Sequence, residues 1–128
     1  MSRHEILTTL RQLRGFAEEA SELAKGHSRD DLATDLGLRR RAERVIELMG
    51  EACNRIPENV VERHAEIPWR EIVGMRNWLA HGYDSIDYDI VWNAISQSAL
   101  DLLSKIEPLI EETIAKDRQL ERDISDDL

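Results

Sequence analysis

The sequence predicts an all-α fold, an antiparallel bundle of four to five helices, on three observations. Apolar residues recur at helical spacing through several long stretches, and no stretch alternates as a half-buried strand would. Six Gly and three Pro in 128 residues are too few for a turn-rich β architecture. The hydrophobic share of 41% is enough for one core in a chain of single-domain length.

The first helix is expected over residues 3–25. Ser2 and Glu5 form a capping-box pattern, Ile6, Leu7, Leu10, Leu13, Ala17, Ala20 and Ala24 make one stripe, and Gly26 is the stop. A second long helix should begin near Asp30 or Thr34 and reach Arg55, with Ala42, Val45, Ile46, Met49, Ala52, Cys53 and Ile56 inward. Gly50 interrupts it, and a Gly inside a helix is expected where a neighbouring helix approaches closely. Pro57 breaks this helix and starts a short exposed one through His64, which places His64 at the surface. A further helix opens at Pro68, whose missing N–H suits a first turn. Asp87 is the expected N-cap of the last long helix, whose core face runs Ile90, Val91, Ala94, Ile95, Leu102, Ile106 and Leu109. Pro108 predicts a kink or an end there. The domain is thus expected over 1–115, followed by a polar, frayed tail over 116–128.

The helix from Pro68 carries the chemistry. Trp69, Ile72, Val73, Ala80 and Tyr83 form its apolar stripe, and Arg76 stands in the middle of that stripe. A charge on such a face is costly unless it is paired or meets an anion. Asn77 and His81, four apart, share a neighbouring face, and Gly82 is the expected helix stop. Two readings are open at this point. Arg76 could pair with Glu47 or Glu51 and His81 could cap the helix, a purely structural arrangement. Alternatively the guanidinium, carboxamide, imidazole and phenol form a site.

The run IPWREIVGMRNWLAHGYDSIDYDIVW, with its Arg-x4-His-x-Tyr pattern, resembles the HEPN superfamily, and within it the HepT-like toxins. The upstream RRRAERVIELMGEACNRIPENV fits the same branch, with Met49 before Gly50-Glu51-Ala52. The resemblance covers roughly residues 30–110. It implies a homodimeric, metal-independent endoribonuclease with two motif helices facing each other across a cleft. It also implies a minimal nucleotidyltransferase (MNT) antitoxin as partner, which silences the toxin by transferring AMP to the motif tyrosine. Here that residue is Tyr83, since Tyr88 lies beyond the turn.

The residue chemistry fits such an enzyme. Arg76 offers a planar, permanently charged fork for a phosphate. His81 supplies an imidazole, the side chain most often used for proton transfer near neutrality. Asn77 can orient the imidazole or donate to a phosphate oxygen. No cofactor is expected and no metal either, because His4, His27, His64 and His81 are scattered and there is no HExxH motif. A net charge of −9 opposes non-specific nucleic-acid binding, so an RNA-directed function needs a local basic patch. Arg40 and Arg44, one face of the Arg39-Arg40-Arg41…Arg44 cluster, are the candidate RNA contacts. Cys53 alone cannot form an internal disulfide and reads as a core residue. With no apolar leader and no membrane-length window, the expected location is the cytoplasm. The rival functional readings are a catalytically silent dimer that binds a nucleotidyltransferase or a nucleotide, and a purely structural dimerisation domain.

Overall fold

The computed structural model describes residues 1–81 and 87–127. Every regular element among them is helical: α1 (Arg3–Ala24), α2 (Asp31–Thr34), α3 (Leu36–Arg55), α4 (Glu58–Arg63), α5 (Trp69–Ala80), α6 (Tyr88–Asn93) and α7 (Ala99–Asp126). A π-helical turn over Ala94–Ser98 joins α6 to α7 without a break, so the two make one long helix.

The ends of these helices follow from local chemistry. The capping box forms, with the Glu5 N–H donating to Ser2 Oγ at 3.1 Å and the Ser2 N–H to Glu5 Oε2 at 3.0 Å. Gly26, at φ 76°, takes the left-handed conformation that closes α1. Asp35 restarts the chain by accepting from the Leu38 N–H at 3.0 Å, which splits the expected second helix into α2 and α3. Asp87 caps α6 by accepting from the Asp89 N–H.

Packing joins these pieces into one core. α1 lies against both α3 and α7, and Leu10, Leu13, Leu38, Met49, Ile95, Leu102 and Ile106 are fully enclosed between them. Arg14 on α1 and Glu107 on α7 pair at 2.8 Å, and Arg29 pairs with Asp89 of α6. α5 packs chiefly on α3 and forms the outer edge of the bundle.

Three expectations are corrected. The helix continues through Pro108, which faces solvent while Leu109, Ile110 and Thr113 hold the next turn against the core. Beyond Ala115, where fraying was expected, α7 runs on to Asp126, with Lys116–Glu112 and Gln119–Asp123 contacts at i,i+4 along its exposed surface. His64 is largely covered, its side chain only 14% exposed, and stands between Glu66 and Glu112 at 3.4 Å from each. The Trp69 indole N–H donates to the His64 carbonyl at 3.0 Å and pins the α4–α5 turn.

Candidate active site

α5 runs antiparallel to α3: its first turn, at Trp69, lies near Cys53 and Ile56, while Arg76 lies against Gly50. That crossing decides where the guanidinium goes. A Cβ on Gly50 would fall 2.2 Å from Arg76 Cβ, 2.7 Å from Cγ and 3.3 Å from the Ile72 carbonyl oxygen. The aliphatic stem of Arg76 therefore lies directly on bare α3 backbone, the close approach that Gly50 implied. The residue is half-buried, and Nη1 donates to Asn77 Oδ1 at 3.1 Å.

Neither Glu47 nor Glu51 neutralises it. Among the described residues no carboxylate stands within ion-pair distance of Arg76, and Glu47 pairs with Arg44 at 3.0 Å instead. The carboxamide of Asn77 thus holds the arginine fork and not the imidazole. His81 occupies the C-cap of α5, exposed, with its backbone N–H donating to the Asn77 carbonyl at 3.1 Å. Asn77 and His81 share the outward face of α5, and the Arg76 fork reaches that face through Asn77. Tyr83 and Gly82 lie outside the described residues.

The arginine cluster divides by partner. Arg39 donates to the Tyr88 hydroxyl at 2.9 Å and lies 5.9 Å from its ring centre, which docks α6 on α3. Arg41 donates to the Gly37 carbonyl at 3.3 Å within its own helix. Arg44 is exposed and engaged by Glu47, whereas Arg40 is exposed with no hydrogen bond or ion pair among the described residues. Both lie on the part of α3 towards which the C-terminus of α5 points. By helical geometry Arg40 is about 80° round from Gly50 and about 15 Å along the axis, and Arg44 about 120° round and about 9 Å along.

Sequence reasoning missed Glu43. It lies about 20° round from Gly50 and two turns towards the N-terminus of α3. Its Oε1 is buried without a hydrogen-bond partner among the described residues. Burial pushes its carboxyl pKa up; Arg39 and Arg40 oppose this and Glu47 adds to it. The visible clue was a Glu in line with the helix-contact glycine. A raised carboxyl pKa means the native state holds its proton to higher pH than the unfolded chain does. Stability from this group is therefore lost as pH rises from the ordinary Glu range through the raised value. Glu43→Gln is expected to raise Tm relative to wild type at pH 7, with the difference closing at pH 4; an equal difference at both pH values contradicts the assignment.

Cys53 is buried, and burial pushes its thiol up to about 12, so it is a packing residue and no nucleophile at neutral pH. Among the described residues no three His, Cys, Asp or Glu side chains gather as a metal-ligand group, and no helix is long and apolar enough to cross a membrane.

Fold and site together define a small all-helical domain that presents a half-buried guanidinium fork and an exposed imidazole towards the end of one helix. Residues 6–109 match the family described as "Ribonuclease HepT-like". The chain is similar to a Thermococcus cleftensis protein named "Probable ribonuclease HepT", 34% identical over 95 residues, 71% of this chain and 86% of the relative. It is also similar to a protein of Caldanaerobacter subterraneus subsp. tengcongensis named a "Putative RNase", 34% identical over 90 residues, 70% of this chain and 80% of the relative. A Methanocaldococcus jannaschii protein with the same kind of name is 25% identical over 117 residues, 91% of this chain and 97% of its own. No solved structure matches the chain. The chain belongs to the HepT-like ribonuclease family, and by that membership it is a ribonuclease acting on RNA.

Proposed function

We propose that the protein cuts RNA internally, without a metal ion, as the toxin of a toxin–antitoxin pair in the cytoplasm. The observation that carries this reading is Arg76, a half-buried guanidinium built onto bare α3 backbone with no carboxylate to neutralise it among the described residues. Such a group awaits an anion, and the scissile phosphate supplies one. His81, about one and a half turns further along the same helix, takes the 2′-OH proton, and the oxygen attacks the adjacent phosphorus. The 5′-oxygen leaves with a proton, and the product carries a 2′,3′-cyclic phosphate. Asn77 holds the fork in register, and Arg40 and Arg44 receive the flanking backbone. Cleavage by the wild type in EDTA, absent in His81→Ala, tests this reading.

A homodimer completes the site, because acid and base work uses two proton carriers and one chain offers His81 alone in the motif. α5 packs chiefly on α3, and Met75 and Trp78 keep part of their surface in solvent, which a second copy related by a two-fold axis can cover.

The partner in this reading is an MNT nucleotidyltransferase that modifies Tyr83; the support for that residue is the sequence motif. The Tyr83 oxygen attacks the α-phosphorus of ATP, pyrophosphate leaves, and the phenolic proton passes to solvent or a base. The resulting phosphodiester adds negative charge two residues from His81 in sequence, a charge of the sign that the Arg76 fork binds. Tyr83→Phe is expected to keep ribonuclease activity and to resist silencing on co-expression with the nucleotidyltransferase. An AMP adduct on another residue, found by mass spectrometry of the silenced complex, contradicts this.

A further inference from the structure

Beside the motif, the outer face of α5 and the end of α3 enclose an open cleft of about 240 Å³. Its lining includes apolar Ile56, Val61 and Val73 and polar Asn54, Arg70 and Asn77, with Glu58, the ion-pair partner of Arg70, also present. We infer that this cleft is a nucleobase subsite, which holds the base of a nucleotide next to the scissile phosphate in single-stranded RNA. The inference rests on the ribonuclease reading and adds a specificity determinant to it.

Three observations support it. First, the cleft is continuous with the motif: Asn77 forms one wall and its Oδ1 holds the Arg76 fork. Arg70, Gly74, Asn77 and His81 follow one another at helical spacing, so RNA laid along this stripe passes from the proton-transfer group into the cleft. Second, the wall is bare where a flat ring would enter, since a Cβ added to Gly74 meets nothing within 4 Å. Third, the chemistry is that of a base. Apolar side chains take the ring face, and carboxamides with paired donor and acceptor read a base edge. Asn54 makes no hydrogen bond among the described residues, and the Asn77 amide N–H groups remain free to donate. Arg70 is held only by a loose surface pair with Glu58 at 3.4 Å, the two side chains 87% and 65% exposed, so it can turn to a ligand at little cost.

The test follows the side-chain amide resonances of Asn54 and Asn77 while the full-length protein is titrated with each of the four nucleoside 3′-monophosphates and with inorganic phosphate. Both amides are expected to shift with the nucleotides, with affinities that differ among bases by at least fivefold. Phosphate alone should leave Asn54 unmoved, and Gly74→Leu, which fills the cleft, should weaken nucleotide binding at least tenfold. Shifts that ignore base identity overturn the proposal, as does unaltered binding in Gly74→Leu. A change of oligomeric state in Gly74→Leu also overturns it, by showing that the cleft receives protein. Cleavage of RNA by the same sample separates the two readings: an active enzyme without base-dependent shifts refutes the subsite alone, and base-dependent shifts without cleavage refute the ribonuclease mechanism alone.

Discussion

Arg76→Ala is expected to lower the rate of RNA cleavage by roughly a thousandfold, the scale on which one preorganised charge-stabilising group acts in a buried site. The side chain is fixed before substrate arrives, its stem on Gly50 and its fork on Asn77, so little reorganisation accompanies phosphate binding. The substitution keeps Cβ and leaves the core untouched, so the folded state should survive with Tm close to wild type. Arg76→Lys sharpens the point. Lysine retains the charge and can lay its stem over Gly50, but it lacks the planar fork that grips two phosphate oxygens. Its activity should therefore also fall, by at least tenfold. Full activity in either variant removes Arg76 from the mechanism.

Gly50→Ala should damage stability and activity together. At an exposed helical position this change stabilises by about 0.5–1 kcal/mol, through the higher helix propensity of Ala. At Gly50 the new methyl group meets Arg76 Cβ at 2.2 Å and the Ile72 carbonyl at 3.3 Å, and neither backbone can yield without parting α5 from α3. Overpacking of this kind costs about 1–3 kcal/mol, and for a chain of this length Tm should drop by roughly 5–10 °C. Gly15→Ala is the control: a Cβ there meets nothing within 4 Å, and a small rise in Tm is expected. Because the fork is carried on the displaced stem, cleavage by Gly50→Ala should fall even at temperatures where the protein remains folded. A variant as stable and as active as wild type contradicts the close-crossing account.

Much of this was legible in the residues, for reasons that differ between elements. Ser2 with Glu5, Gly26 and Asp87 are local signals, decided within a few residues, and all three act as their chemistry dictates. Gly50 signalled a helix contact, although the sequence alone did not say that Arg76 was the residue making it. The departures are tertiary. Pro108 is tolerated because its ring faces solvent while the turn after it stays packed, and His64 is largely covered where its ring stands between Glu66 and Glu112 of α7. In the site, spacing brought Asn77 and His81 to one face. It could not show that the Asn77 side chain turns to Arg76, nor that Glu43 of α3 has an enclosed carboxyl oxygen and a raised pKa. Of Arg40 and Arg44, equal in sequence, only the structure distinguishes the unengaged side chain from the one held by Glu47.

The central claim is that Arg76 and His81 cleave RNA by moving protons and holding phosphate, without a metal. The most direct measurement is cleavage of a short single-stranded RNA by the purified protein in excess EDTA, beside Arg76→Ala and His81→Ala, with the product ends identified by mass spectrometry. The account predicts undiminished cleavage by the wild type, products ending in 2′,3′-cyclic phosphate, and at least a hundredfold loss in both variants. Cleavage that stops in EDTA, or that persists in His81→Ala, would contradict it.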